Sequence, residues 1–242
     1  MACGDIVENP FQLKIDYDFY FEDATAISFK VDVDLLSKEP RHYSIKRYKW
    51  EELDCHKCEG CPLSSTQNPY CPAAISITDI IEYFSRKTSF SNCKCTVRMP
   101  EKTEMGEKPL QDSLYSLIGL RMATSACPIL SRFKPLARFH EPFASPFYTM
   151  QRTMSSYLLG QFFKNKKDRT GEFDFKGLKN FYSLINTVNT KMALRLAEAE
   201  VMDATPNSIM ILSLFGTSVT FFFDDYLDIL KKLYEETGST GV

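Results

Sequence analysis

Between Cys55 and Pro72 the chain reads C-H-K-C-E-G-C-P-L-S-S-T-Q-N-P-Y-C-P, a loop that holds four of its eight cysteines, Cys55, Cys58, Cys61 and Cys71. The loop is rich in Pro, Ser, Thr and Asn and has too little apolar matter to fold by itself. Thiolates two residues apart, with another Cys at loop distance, suit a tetrahedral metal. Cys58-Glu59-Gly60-Cys61 reads as a two-ligand zinc knuckle, with Gly60 free to turn tightly between the sulfurs. Cys71 is a natural third ligand. The fourth is either Cys55, close by, or Cys127, far along the chain.

Other chemistries compete for these residues. Three cysteines at two-residue gaps followed by Cys-Pro resemble a bacterial ferredoxin run. That run has three residues before its Cys-Pro, whereas nine separate Cys61 from Cys71. Zinc is therefore preferred, with a single iron–sulfur cluster as the alternative and reduced, unligated cysteines as the plainest reading. A thiol enzyme would use Cys127, ahead of Pro128, with His140 as acid–base partner and Arg138 to lower the thiol pKa. No Asp or Asn is marked out to orient His140, and a closed zinc ligand is not a free nucleophile. An open metal site would pair three cysteines with water, with His140 or Glu141 behind them. His56 is another ligand candidate, although adjacent residues rarely chelate one ion. Cys93 and Cys95 share one face of a strand pattern and read as small buried hydrophobes. Cys3 receives no role.

The elements that must position these residues follow from periodicity. Residues 11–35 alternate apolar and polar on both sides of a turn at Glu22–Thr25, the signature of an antiparallel hairpin. Its apolar face needs cover, from its own protein or from a second copy of the chain. Tyr43 to Trp50 adds a candidate third strand. Ser76-x-x-Asp79 resembles a capping box opening a helix through Ile77, Ile80, Ile81 and Phe84. Asn92 to Met99 reads as a strand, and the charged Pro100–Lys108 tract as a loop. Pro109 opens a helix with a stripe of Leu110, Leu114, Leu117, Ile118 and Met122. Ile129 to His140 is partly helical. Ser145-Pro146 opens a helix through Met150, Met154, Leu158 and Phe162. Phe175 to Ala199 is another helix. Thr205-Pro206 opens an almost wholly apolar helix expected to be fully buried. Tyr226 to Leu233 forms a last amphipathic one, and the tail from Thr237 frays.

Composition narrows the function classes. The chain has 242 residues, is 44% hydrophobic and 25% charged, and carries a net charge of −2. That balance suits an ordinary globular protein and disfavours nucleic-acid binding by bulk electrostatics. Its start carries no secretory pattern, and its longest apolar run, Ile209 to Phe223, is too short and polar to span a membrane. A cytoplasmic location follows, where clustered cysteines read as metal ligands. The Lys164–Arg169 tract reads as a solvated helix end.

Three blocks resemble a family of uncharacterised bacterial proteins. They are C-E-G-C-P-L…Y-C-P (58–72), S-L-I-G-L-R-M-A-T-S-A-C-P (116–128) and P-L-A-R-F-H-E-P-F-A (135–144). The family pattern is C-P-x-C-P-L…C-P, then M-A-T-S-G-C-P, then R-F-H-x-P-F-A, and the similarity spans most of residues 50–235. The resemblance implies Cys58, Cys61, Cys71 and Cys127 as the ligand set. It leaves Cys55 without a counterpart and puts Ala126 where the family has Gly. It carries no activity with it. The expected fold is α+β: a small antiparallel sheet in residues 1–49, a mostly helical domain with the cysteine site in 50–236, and a frayed tail at 237–242. The expected function is that of a binding or interaction protein with a structural zinc, met by a protein partner or by a second copy through the hairpin.

Overall fold

The computed structural model describes residues 9–85, 91–199 and 204–238, apart from the side chains of residues 204, 205, 215 and 218–220. The architecture is α+β. Strands β1 (Gln12–Phe21), β2 (Ala26–Asp34), β3 (Asn92–Arg98) and β4 (Thr103–Pro109) form one antiparallel sheet in the order β2-β1-β3-β4. Alternation buries Leu13, Ile15, Tyr17 and Phe19 of β1, Phe29, Val31 and Val33 of β2, and Cys93, Cys95 and Val97 of β3. Cys93 and Cys95 are thus core residues. The polar face has one buried member, Asp18, which accepts from Ser28 Oγ at 2.5 Å and pairs with Arg98. The Pro100–Lys108 tract, expected as a loop, is largely β4. An edge strand needs no apolar face, and Thr103, Met105 and Glu107 of β4 are exposed, so alternation had nothing to mark.

Helices cover the apolar face. In chain order the helices are α1 (Pro72–Ile75), α2 (Thr78–Phe84), α3 (Leu110–Thr124), α4 (Lys134–Arg138), α5 (Pro146–Asp168), α6 (Lys176–Glu198), α7 (Ala204–Phe221) and α8 (Phe223–Glu236), and α2 and α3 pack on the sheet directly. The ring of Phe84 packs against Phe19 and Phe29 at centroid distances of 5.6 Å, and one hydrophobic core runs from β1 through α8. The hairpin face is therefore covered by the protein's own helices. Ser145 caps α5 as expected, accepting from the Tyr148 amide at 3.2 Å. The capping box at Ser76 does not form. Ser76 instead ends α1 and donates to the Ala73 carbonyl at 2.7 Å, while Ile77 precedes α2. The helix expected to be fully buried is not: α7 packs through Ser208 and Ile209 but leaves Met210 and Leu214 exposed, with Phe221 beyond them. An apolar composition gave no face to distinguish. The capping role expected of Thr205 and the tail beyond residue 238 lie outside the described residues.

Tyr43 to Trp50 is not a strand. Side chains hold this segment in place of a ladder. The Tyr43 ring lies 3.3 Å from the guanidinium carbon of buried Arg121, which pairs with Asp79 at 3.2 Å. Ser44 and Tyr48 both donate to Glu82, at 3.0 and 2.8 Å. Buried Glu51 accepts from the Tyr48 amide at 3.0 Å and from Thr78. The end of the segment is fixed by Arg195 of α6. Its guanidinium donates to the carbonyls of Trp50 and Glu52 at 2.6 Å and of Leu53 at 3.0 Å, and the residue is 2% exposed. Three carbonyls are satisfied by one cation, and among the described backbone bonds only that of Glu52 has a further partner, the Cys55 amide. Arg195→Met should lower unfolding stability by about 3 kcal/mol in urea, since apolar replacement strands those acceptors. It should also open the 55–72 loop to protease. An unchanged denaturation midpoint and digestion pattern would show that the carbonyls find other partners.

Candidate functional site

Cys58, Cys61, Cys71 and Cys127 line one small cavity of about 20 Å³, backed by Ile129, Val188 and Met192. That is room for a single water-sized or ion-sized body. Local geometry explains the placement. Gly60 adopts φ +76°, and the Cys61 amide donates to the Cys58 carbonyl at 3.1 Å, which closes the knuckle. The Cys71 amide donates to the Glu51 carbonyl at 2.8 Å, and Cys71 then leads into α1 through Pro72. Cys127 follows α3. Its amide donates to Ser125 Oγ at 3.3 Å, and its carbonyl accepts from the Ser131 amide at 2.9 Å. Burial, aided by Cys71 and Cys61, pushes the Cys58 thiol up to about 11. Burial, and after it Cys71 and Cys58, pushes Cys127 up to about 12. Among the described residues no three of these sulfurs lie within 4.8 Å of one another.

A tighter group lies on the neighbouring surface. Cys55, His56 and Glu198 bring one ligand atom each to within 4.8 Å of one another, a set that could hold a metal ion. His56 Nε2 is 2.6 Å from Glu198 Oε1, and Cys55 Sγ donates to Glu198 Oε2 at 3.6 Å. Glu198 lies one helical turn beyond Arg195 on α6. Sequence reading passed over Glu198, because nothing in a helix-end glutamate points to a loop more than a hundred positions earlier.

A second, larger cavity of about 440 Å³ lies between α3, α4, α5, α6 and α7. Its walls are mainly apolar, with Leu120 and Met122 of α3, Leu136 of α4 and Leu212 of α7 among them. Polar groups gather at His140, Glu141 and Arg152. His140 Nε2 is hydrogen-bonded to the Tyr17 hydroxyl and lies 3.4 Å from Ser116 Oγ. Tyr17, Ser116 and Arg152 were not singled out by the sequence, which shows them only as members of apolar or helical stripes. His140 and Cys127 line different cavities and are not brought together.

Burial, and after it the charges of Arg152 and Lys102, hold His140 well down, at about 3 against an ordinary 6.5. Lys102 is itself paired with Glu104 and Glu141, and the Arg152 guanidinium donates to the Leu136 and Phe139 carbonyls. The unfolded chain thus takes up a proton near pH 6.5 that the folded chain refuses until about pH 3. The stability this contributes is complete above pH 6.5 and is lost as pH falls through that window. His140→Gln should therefore flatten the acid limb of the stability–pH curve between those limits, measured by urea unfolding. A curve parallel to the parent's would contradict the neutral imidazole.

Among the described residues no helix is long and apolar enough to cross a membrane. No curated protein and no solved structure matches the chain. Residues 15–235 match the model of a family described as a domain of unknown function, DUF6901. The match takes in all but the first residues of the sheet, both cavities and the Cys55–His56–Glu198 group, and the chain belongs to that family.

Proposed function

We propose that this is a binding protein. The large cavity takes a small, mainly apolar ligand, and a zinc ion held by Cys58, Cys61, Cys71 and Cys127 braces its walls. The observation that carries the reading is the cavity itself: about 440 Å³, apolar over most of its lining, with His140, Glu141 and Arg152 at one place. Size and lining match small-molecule sites. Neutral His140 offers a hydrogen bond without a charge, which favours an uncharged polar group on the ligand. Thiol catalysis by Cys127 and His140 is disfavoured by their lining different cavities.

The zinc assignment rests on four thiols facing one ion-sized space. Zinc would supply structural cross-linking there, and its binding would draw the sulfurs inside their present spacing. Cys127 stands between α3 and the segment that leads through Leu130 to α4, both of which line the large cavity. Val188 and Met192 back the cysteines, while Ile185 and Asn189 of the same helix face the large cavity. Fixing Cys127 therefore fixes two of the cavity's walls.

A second reading, a module that docks on another protein, is favoured by the exposed apolar side chains Met210 and Leu214 of α7 and Ile229 and Leu233 of α8.

Titration with the fluorescent probe 8-anilino-1-naphthalenesulfonate tests the binding reading. One saturable site is expected, lost in Ala144→Phe, which fills the rim, with the melting temperature of that variant unchanged. Absence of saturable binding, or equal binding by the filled variant, would count against it. Metal analysis tests the brace separately: Cys127→Ser should lower zinc content and speed cleavage of the 55–72 loop. Purified protein without zinc, or a variant that keeps its full complement, would remove the brace from the account.

A further inference from the structure

We propose that Cys55, His56 and Glu198 form a second metal site, for a zinc-type divalent cation, with one coordination position left open. Three different donors converge here: the Cys55 sulfur, the His56 Nε2 and the Glu198 carboxylate, all within 4.8 Å of one another. Consecutive residues usually point apart. Here His56 adopts φ +45°, in the left-handed region that a side chain enters at a cost. That turn is the backbone feature that lets the side chains of positions 55 and 56 address one carboxylate.

The two halves of the site are locked to each other. Arg195 grips the carbonyls of Trp50, Glu52 and Leu53 just ahead of Cys55. Glu198 projects from the same helix one turn later. The Cys55 amide donates to the Glu52 carbonyl at 3.1 Å, which continues the turn into the site. The donors are thus held on two rigid pieces whose spacing the buried guanidinium sets. The backbone positions of the donors are then set before any ion arrives, and the side chains have only to part from their hydrogen-bonded spacing, 2.6 Å between His56 Nε2 and Glu198 Oε1, to admit it.

The donor set selects the ion. One thiolate excludes calcium and magnesium, which take oxygen ligands. A single sulfur with imidazole and carboxylate suits a borderline cation such as zinc. A thiolate and a carboxylate together balance its two charges. Three protein ligands leave a position for water or a bound group, the arrangement of reactive rather than closed zinc sites. The side chains of His56 and Glu198 are 30% and 49% exposed, so an ion can enter from solvent. This site does not depend on the four-cysteine assignment, with which it shares no ligand.

The test uses the full chain, stripped of metal and kept reduced, titrated with Zn²⁺ and, for its absorption spectrum, with Co²⁺. Glu198→Gln keeps the size of an exposed side chain and removes a ligand charge. Cys55→Ser removes the sulfur. Each should weaken one equivalent of Zn²⁺ at least tenfold, and Cys55→Ser should abolish the sulfur-to-cobalt band of that equivalent. Cys127→Ser should leave this equivalent in place. If Glu198→Gln and Cys55→Ser bind Zn²⁺ with the parent's stoichiometry and affinity, the group is a hydrogen-bonded surface contact and the proposal fails. A single equivalent lost in Cys127→Ser but kept in Glu198→Gln would likewise refute this site while leaving the four-cysteine site standing. The reverse pattern would support this one alone.

Discussion

One buried guanidinium ties the entrance of the cysteine loop to α6, the helix that both cavities share. Arg195 is closed off from water and faces no carboxylate among its described hydrogen-bond partners; it is satisfied by three backbone carbonyls. A charge so placed is tolerated only if every donor has an acceptor at good geometry, since an unmet buried cation costs several kcal/mol. The demand runs both ways. The chain from Trp50 to Leu53 has little regular structure to occupy its carbonyls, and α6 supplies the donor they require. Once that contact forms, the entrance to the cysteine loop and the end of α6 have one relative position.

From α6 the constraint spreads in two directions. Toward the loop, the helix presents Val188 and Met192 to the four-cysteine cavity and Glu198 to Cys55 and His56. Toward the bundle, Ile185 and Asn189 face the large cavity. The two cavities thus share a helix but not a lining residue. They also share the chain between α3 and α4, where Cys127 belongs to one and Leu130 to the other. A change of loop position would be felt at the large cavity through these two elements and through α1, which packs on α3. The sheet joins the same cavity from below, through the Tyr17 hydroxyl on His140.

How much of this could be read from the sequence depends on what kind of interaction fixed each part. The β1–β2 hairpin was plain, because a half-buried strand writes its burial into alternation. Strand β4 was not, because it is an edge strand with no buried side chain to mark an alternation. Tyr43 and Tyr48 looked like strand residues, yet they serve as a lid on Arg121 and a donor to Glu82. The α7 composition signalled a helix but not a face, and the structure divides it between core and solvent. In the candidate sites the cysteines were legible from type and spacing. Glu198, Tyr17 and Arg152 were not, because each acquires its meaning only from a residue distant in the chain.

The cysteine loop makes physical sense as something other than a hydrophobic plug. Its ends are well held, with the Leu53 amide on the Pro69 carbonyl and the Cys71 amide on that of Glu51, both at 2.8 Å. Between them, Cys58 rests against the core in part and Cys61 is half-buried. Valine or leucine at these positions would bury more apolar surface than a thiol does, and burial is what a loop of this composition lacks. Four thiols around one ion-sized space give up that packing, and ionising Cys58 or Cys127 is opposed by burial and then by the neighbouring sulfurs. A cation among the sulfurs turns their mutual repulsion into shared attraction. Thiols in this arrangement are poor packing without a metal and strong cross-links with one, which is the argument for reading them as ligands.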